Sequence, residues 1–80
     1  MVIIADATNG NIVINLPEIS KAVGCYFHVK KCDSTANTVT IEPYQSDTID
    51  KVSNFVITDE LESVLFVNDG NQWWIIGKYL

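Results

Sequence analysis

The lone histidine and the two cysteines are the residues of this sequence best suited to acid–base or nucleophilic chemistry. His28 stands between Phe27 and Val29 in a run typical of a β-strand, and Cys25 precedes it by three positions. Side chains alternate between the two faces of a strand, so Cys25 and His28 point to opposite faces and do not form a nucleophile–base pair. No serine accompanies His28 in a known local motif. The sequence therefore predicts a protein that is not an enzyme.

The spacing of the cysteines argues against a disulfide bond between them. Cys25 and Cys32 lie seven positions apart, and a strand rises ~3.3 Å per residue. If the segment between them is one extended strand, their Cα atoms are too far apart to be bridged. We expect two reduced, mostly buried thiols and no stabilising disulfide.

Two oxygen-rich clusters are candidate metal ligands. Asp47 and Asp50 are three positions apart, and residues 68–71 read Asn-Asp-Gly-Asn. Calcium takes about six to eight oxygen ligands, and neither cluster supplies that number alone. Asn, Asp and Gly are also the residues that tight turns favour. We interpret both clusters as turns and expect neither a metal nor another cofactor.

A sugar-binding site is a sharper functional hypothesis. It would require an exposed aromatic ring beside carboxylate and amide groups that form hydrogen bonds. Trp73 or Trp74 next to Asp69 and Asn71 fits this description, and Tyr44, followed by polar residues, is a second candidate. In the alternative interpretation, one tryptophan packs in the core and the other in an interface between subunits, where tryptophan is enriched.

The composition limits the classes of partner. The formal net charge is −5, with ten acidic residues against five basic ones, all of them lysines. Nucleic-acid binding depends on a basic face, so we expect no nucleic-acid partner. No run approaches the ~20 apolar residues of a membrane-spanning helix. The N-terminal residues lack the basic and apolar regions of a signal peptide. We therefore expect neither membrane insertion nor a signal peptide.

Short strands are the elements that would position these side chains. Runs of β-branched and aromatic residues alternate with clusters of turn-forming residues along the chain. The only helical signal outside the ambiguous segment 58–67 is a single turn at 18–23, too short for a crossover helix. We predict one domain over residues 1–80, an all-β fold with about six to eight short strands in an antiparallel sandwich or small barrel. The predicted strands cover residues 2–5, 12–16, 25–32, 38–42, 48–50, 54–58, 63–67 and 72–76.

Segment 58–67 allows two interpretations. Apolar residues at helical spacing and an Asp59–Glu62 capping box favour a helix. The partly β-branched run after Glu62, followed by the pair Asp69-Gly70 and a second apolar run, favours a hairpin. We predict the hairpin, because its turn signal lies between two strand-like runs of similar length.

The last two predicted strands are apolar on both faces. A two-layer domain of this size has one interior, so the second apolar face needs another cover. The simplest cover is a neighbouring copy, because the interfaces of obligate homo-oligomers are strongly apolar. The alternative is a closed barrel with a flap over one side. The residues expected in an interface between copies are Leu65, Phe66, Val67, Trp74 and Ile76.

A set of short motifs also occurs in a characteristic order and spacing. They are Ala5-Asp6-Ala7, Ile14-Asn15-Leu16-Pro17, Lys30-Lys31-Cys32-Asp33-Ser34, Asn37-Thr38-Val39-Thr40-Ile41, Asp47-Thr48-Ile49-Asp50, Glu62-Ser63-Val64, Asp69-Gly70 and Trp73-Trp74-Ile75-Ile76. Together they resemble a small β module of bacteriophage and prophage tail fibres and tailspikes, over about Ile4 to Ile76. No single motif is specific. Two positions depart from the pattern: Cys32 replaces an expected Ile or Val, and Lys51 replaces an expected Gly.

The resemblance implies a non-enzymatic module of a homotrimeric fibre, used for trimerisation, as a spacer, or to face a host receptor or surface glycan. It implies a place in the virion after synthesis in the host cytoplasm. Cys32 at an expected aliphatic position supports a buried thiol, and Lys51 implies an altered turn after Asp50. Whether this module binds a receptor does not follow from the likeness.

Overall fold

Two β-sheets packed face to face form the fold. A computed structural model describes residues 1–79 and contains no α-helix within them. None of these residues belongs to a helix long and apolar enough to cross a membrane. The all-β class and the number of strands are as predicted. The strands are β1 (Val2–Ala5), β2 (Ile12–Asn15), β3 (Tyr26–Lys31), β4 (Val39–Glu42), β5 (Phe55–Ile57), β6 (Ser63–Asn68) and β7 (Trp73–Tyr79), with a 3-10 helix (Ile19–Lys21) before β3.

Both sheets are mixed rather than antiparallel. One sheet has the order β1-β3-β6-β7 and the other the order β2-β4-β5. β1 runs parallel to β3 and β2 runs parallel to β4, whereas the other neighbouring strands are antiparallel. The prediction of a purely antiparallel fold is therefore wrong.

Alternation of the chain between the sheets explains the parallel pairs. β1 and β2 belong to different sheets, as do β3 and β4. A parallel connection needs about a dozen residues, which are usually supplied by an α-helix. Here a strand of the opposite sheet supplies that length, so the absence of a long helix did not exclude parallel pairing.

The hydrophobic core lies between the two sheets. Phe66 of β6 and Trp73 of β7 are fully buried, as is Ile41 of β4 in the facing sheet. Phe66 meets Phe55 of β5 edge to face, with 6.0 Å between the ring centroids. Apolar and polar residues alternate along β4, and the apolar ones are buried. Its apolar residues point into this core because the other face of the three-stranded sheet meets water.

A buried ion pair lies at the end of β3, and its carboxylate is also bonded to the loop after β1. The Nζ atom of Lys31 lies 2.9 Å from Oδ2 of Asp33, and their side chains are 0% and 3% exposed. Nζ also donates to the carbonyl oxygen of Thr35. The Asp33 carboxylate accepts hydrogen bonds from the Thr35 hydroxyl and from the Ala7 N–H. Hydrogen bonds from Thr35 and then Lys31 hold the pKa of Asp33 well below its ordinary value.

The hairpin predicted near the C-terminus is confirmed. β6 and β7 pair antiparallel across the turn that contains Asp69 and Gly70. The capping-box hydrogen bond is present without a helix: Oε1 of Glu62 accepts the N–H groups of Asp59 and Thr58, each at 3.3 Å. These contacts therefore stabilise the turn that leads into β6.

Both cysteines are free and exposed, which corrects the prediction of buried thiols. Cys25 directly precedes β3 and Cys32 directly follows it. The side chain of Lys31, adjacent to Cys32, points inward and is fully buried. Side chains alternate along an extended segment, so Cys32 is left on the solvent side.

The Asp50-Lys51 turn provides a first testable prediction. Ile49 and Val52 pair across it, and Asp50 and Lys51 have φ angles of 48° and 69°. The left-handed region costs a residue with a Cβ atom about 1 kcal/mol. Lys51→Gly should raise the free energy of unfolding by about 0.5–1 kcal/mol, measured by urea denaturation. Lys51→Ala removes the same side chain but keeps the Cβ atom, so an equal gain from it would contradict this explanation.

Candidate interaction surface

The outer face of the four-stranded sheet is the strongest candidate for a functional surface. It is formed by side chains that point away from the core on neighbouring strands. In one row, Tyr26, Val67 and Trp74 lie side by side on β3, β6 and β7. The outer face consists of Val2, Ile4, Tyr26, His28, Lys30, Ser63, Leu65, Val67, Trp74 and Tyr79.

This face is unusually apolar for a surface in contact with water. Val2, Ile4, Tyr26 and Tyr79 are 65%, 60%, 52% and 63% exposed. An antiparallel or mixed sheet that meets water on one side normally carries polar side chains there. Contiguous exposed apolar residues on a folded domain mark interaction sites. The exposed side chains of this face therefore indicate a surface for binding.

The structure separates the residues predicted for an interface between copies. Leu65, Val67 and Trp74 are half-buried and lie on the outer face. Ile76 is exposed and occupies a β-bulge beside this face. Phe66 is fully buried in the chain's own core, so its assignment to an interface is wrong. Strand alternation identified the two faces of β6 but not which of the two apolar faces was internal.

The two tryptophans of the sugar-binding hypothesis occupy different environments. Trp73 is fully buried, so it offers no ring face to a sugar and that assignment is wrong. The indole N–H of Trp74 donates to Oδ2 of Asp69 at 2.8 Å. Asn71 is exposed, and its backbone N–H donates to Oδ1 of Asp69 at 2.8 Å. Tyr44 is exposed in the loop after β4, outside the four-stranded sheet.

Asp69 fixes the orientation of the Trp74 ring. Hydrogen bonds from the backbone of Asn71 and then from the Trp74 indole lower the pKa of Asp69. The carboxylate therefore stays ionised at neutral pH and remains an acceptor for the indole N–H. The half-buried ring is thus held at the edge of the outer face, next to Val67.

A depression of about 170 Å³ lies at the other end of the outer face, between β1, β3 and β6. It is lined by Val2, Ile4, His28, Lys30 and Ser63, and we call it the basic depression. Val2 and Ile4 give it apolar walls. His28, Lys30 and Ser63 give it an imidazole, an ammonium and a hydroxyl group, and no Asp or Glu lines it.

Two contacts hold the ammonium group of Lys30, whose side chain lines the basic depression. Its Nζ atom donates to the carbonyl oxygen of Leu61 at 3.1 Å. It also lies 5.3 Å from the centroid of the Tyr79 ring, within the range of a cation–π interaction. No local pattern in the sequence revealed the depression. Its position depends on the pairing of β3 with both β1 and β6.

Comparison with known proteins does not assign the chain to a family. No protein-family model matches it, and neither a curated protein nor a solved structure matches it. The class that the fold defines is a two-layer, all-β domain with mixed sheets. Within residues 1–79, no group of three or more His, Cys, Asp or Glu side chains is placed to hold a metal ion.

Proposed function

We propose that this chain is a structural assembly module of a phage tail fibre or tailspike, which joins copies of itself through the outer face. The sequence motifs supply the fibre context and the expectation of a homotrimer. The observation that carries the proposal is the exposed apolar outer face of the four-stranded sheet. In this role the module contributes to attachment of the virion to its host through the fibre of which it is part.

The area of the outer face sets how much apolar surface a neighbouring copy would remove from water. Four strands at ~4.8 Å spacing and about six residues at ~3.3 Å give a face of roughly 400 Å² in projection. A neighbouring copy packed on this face would bury roughly 400 Å² on each partner, about 800 Å² in total, which is in the range of weak interfaces. Each square ångström of apolar surface contributes about 25 cal/mol. Coverage of this face therefore favours a weak association between copies.

The core of the domain is already complete within a single chain. The accessible surface is 4649 Å². A compact monomer of 8.9 kDa is expected to expose roughly 4,800 Å². The exposed area therefore matches that of a compact monomer, as expected when no strand is exchanged with another chain. Association through the outer face would add to a finished fold and would not require exchange of strands.

The oligomeric state tests the proposal. Size-exclusion chromatography with light scattering at about 100 µM should give a mass three times 8.9 kDa. Val67→Asp should reduce it to the monomer mass, because a charge would then be buried in the interface. Val56→Asp is the matched control, since Val56 is exposed on β5 of the other sheet. A native chain that stays monomeric would contradict the proposal.

Glycan binding by Trp74 is a second candidate function. The observation that favours it is the hydrogen bond from the Trp74 indole to Asp69, which fixes a partly exposed ring beside Asn71. Tryptophan fluorescence should change on titration with host surface glycans, and Trp74→Phe should abolish the change. Trp73 is buried and supplies a constant background. An unchanged signal at millimolar glycan would exclude this role for Trp74.

A further inference from the structure

We propose that the basic depression binds an Asp or Glu side chain of a neighbouring copy of this chain. The inference rests on the proposed assembly through the outer face and specifies its polar contact. The depression holds about 170 Å³. Sites for drug-sized ligands are usually ~300 Å³ or more. This smaller volume suits one carboxylate side chain with its methylene groups against Val2 and Ile4.

The sheet register brings the polar groups of the basic depression together. Lys30 and Ser63 are directly opposite each other on β3 and β6. Directly opposite residues have Cβ atoms about 5 Å apart, and diagonal neighbours are ~7–8 Å apart. His28 lies two positions before Lys30 on the same strand face. An ammonium, a hydroxyl and an imidazole therefore surround one small volume.

These groups have hydrogen-bonding capacity that the described chain does not use. Ser63 is 8% exposed and lines the depression with its hydroxyl-bearing side chain. The Lys30 ammonium donates to Leu61, which leaves it further N–H donors. A carboxylate would accept hydrogen bonds from both groups.

The distribution of charge indicates the source of that carboxylate. The outer face carries Lys30 and His28 but no acidic residue, although the chain has a net charge of −5. Two outer faces in twofold contact would place like groups near each other, which is unfavourable. A neighbouring copy that contributes a different, acidic part of its surface avoids this repulsion. Such a contact is heterologous, and heterologous contacts form rings such as trimers when the rotation between copies closes.

Lys30→Met tests the inference because it removes the charge and keeps an apolar stem. The concentration at which the trimer dissociates should rise about tenfold. Analytical ultracentrifugation over a series of protein concentrations measures it. Native assembly should also weaken between about 50 and 500 mM NaCl, because salt screens an ion pair. Lys78→Met is the matched control: Lys78 lies on β7, with its ammonium 5.2 Å from the centroid of the Phe55 ring.

The outcomes separate this inference from the proposed function. A trimer that resists salt and tolerates Lys30→Met would overturn the carboxylate contact and leave assembly through the outer face intact. A chain that is monomeric under all conditions would overturn both. Sodium acetate that displaced native assembly, compared with sodium chloride at equal ionic strength, would support the contact. Acetate binding by a chain that never assembles would assign the depression to a small ligand and overturn docking of a second copy.

Discussion

Replacement of Lys31 with methionine is expected to lower the free energy of unfolding by about 3 kcal/mol. The Lys31 ammonium is fully buried and donates to the Asp33 carboxylate and to the Thr35 carbonyl oxygen. Without it, the carboxylate stays buried with only the donors from Thr35 and Ala7. Urea denaturation followed by tryptophan fluorescence measures the loss. It is a large fraction of the ~4–12 kcal/mol expected for a domain of this length.

Lys30→Met is the control for this effect. Lys30 and Lys31 are adjacent on β3 but point to opposite faces of the sheet. The ammonium of Lys30 reaches an exposed carbonyl oxygen and an exposed ring, so its loss should cost less than about 0.5 kcal/mol when both variants are compared as dilute monomers. Equal destabilisation by the two substitutions would contradict the special role of the buried ion pair.

Phe66→Ala is expected to destabilise the domain by about 3–5 kcal/mol, because it opens a cavity between the two sheets. Phe66 is fully buried, and its ring meets that of Phe55. The loss should be independent of protein concentration, since it concerns the core of one chain. Chemical denaturation at two protein concentrations measures both properties.

Leu65→Ala provides the comparison on the opposite face of the same strand. Leu65 is half-buried on the outer face, so its truncation should weaken association more than it weakens the fold. We expect a loss of about 1 kcal/mol or less in the stability of the monomer. A Phe66→Ala variant that kept its stability but dissociated would show that Phe66 belongs to an interface after all.

Local patterns explain why the strands were predictable. β4 alternates apolar and polar residues, and the Asp69-Gly70 pair marks the turn of the final hairpin. The parallel pairs were not predictable, because strand direction depends on which sheet each segment enters. Lys31 was also missed. Its burial depends on a carboxylate two positions later and on a backbone N–H in the loop after β1.

The candidate surface was only partly predictable for a related reason. Alternation showed that Leu65 and Val67 share one face of β6, and the structure places both on the outer face. Because both faces of β6 are apolar, composition did not show which one was internal. Trp73 and Trp74 posed the same problem on β7. The basic depression requires three strands from distant parts of the chain, so no local motif could have revealed it.

The alternation of the chain between two sheets has a consequence for the order of events during biogenesis. The outer face is bordered by β1 and β7, the first and last strands of the described chain. The middle of that sheet is the pairing of β3 with β6, two strands far apart in the sequence, and such non-local pairing is slow in folding. The face that is proposed to join copies therefore does not exist on a partly folded chain. Under the proposed assembly, completion of the fold would precede association and would keep early chains from premature contact with one another.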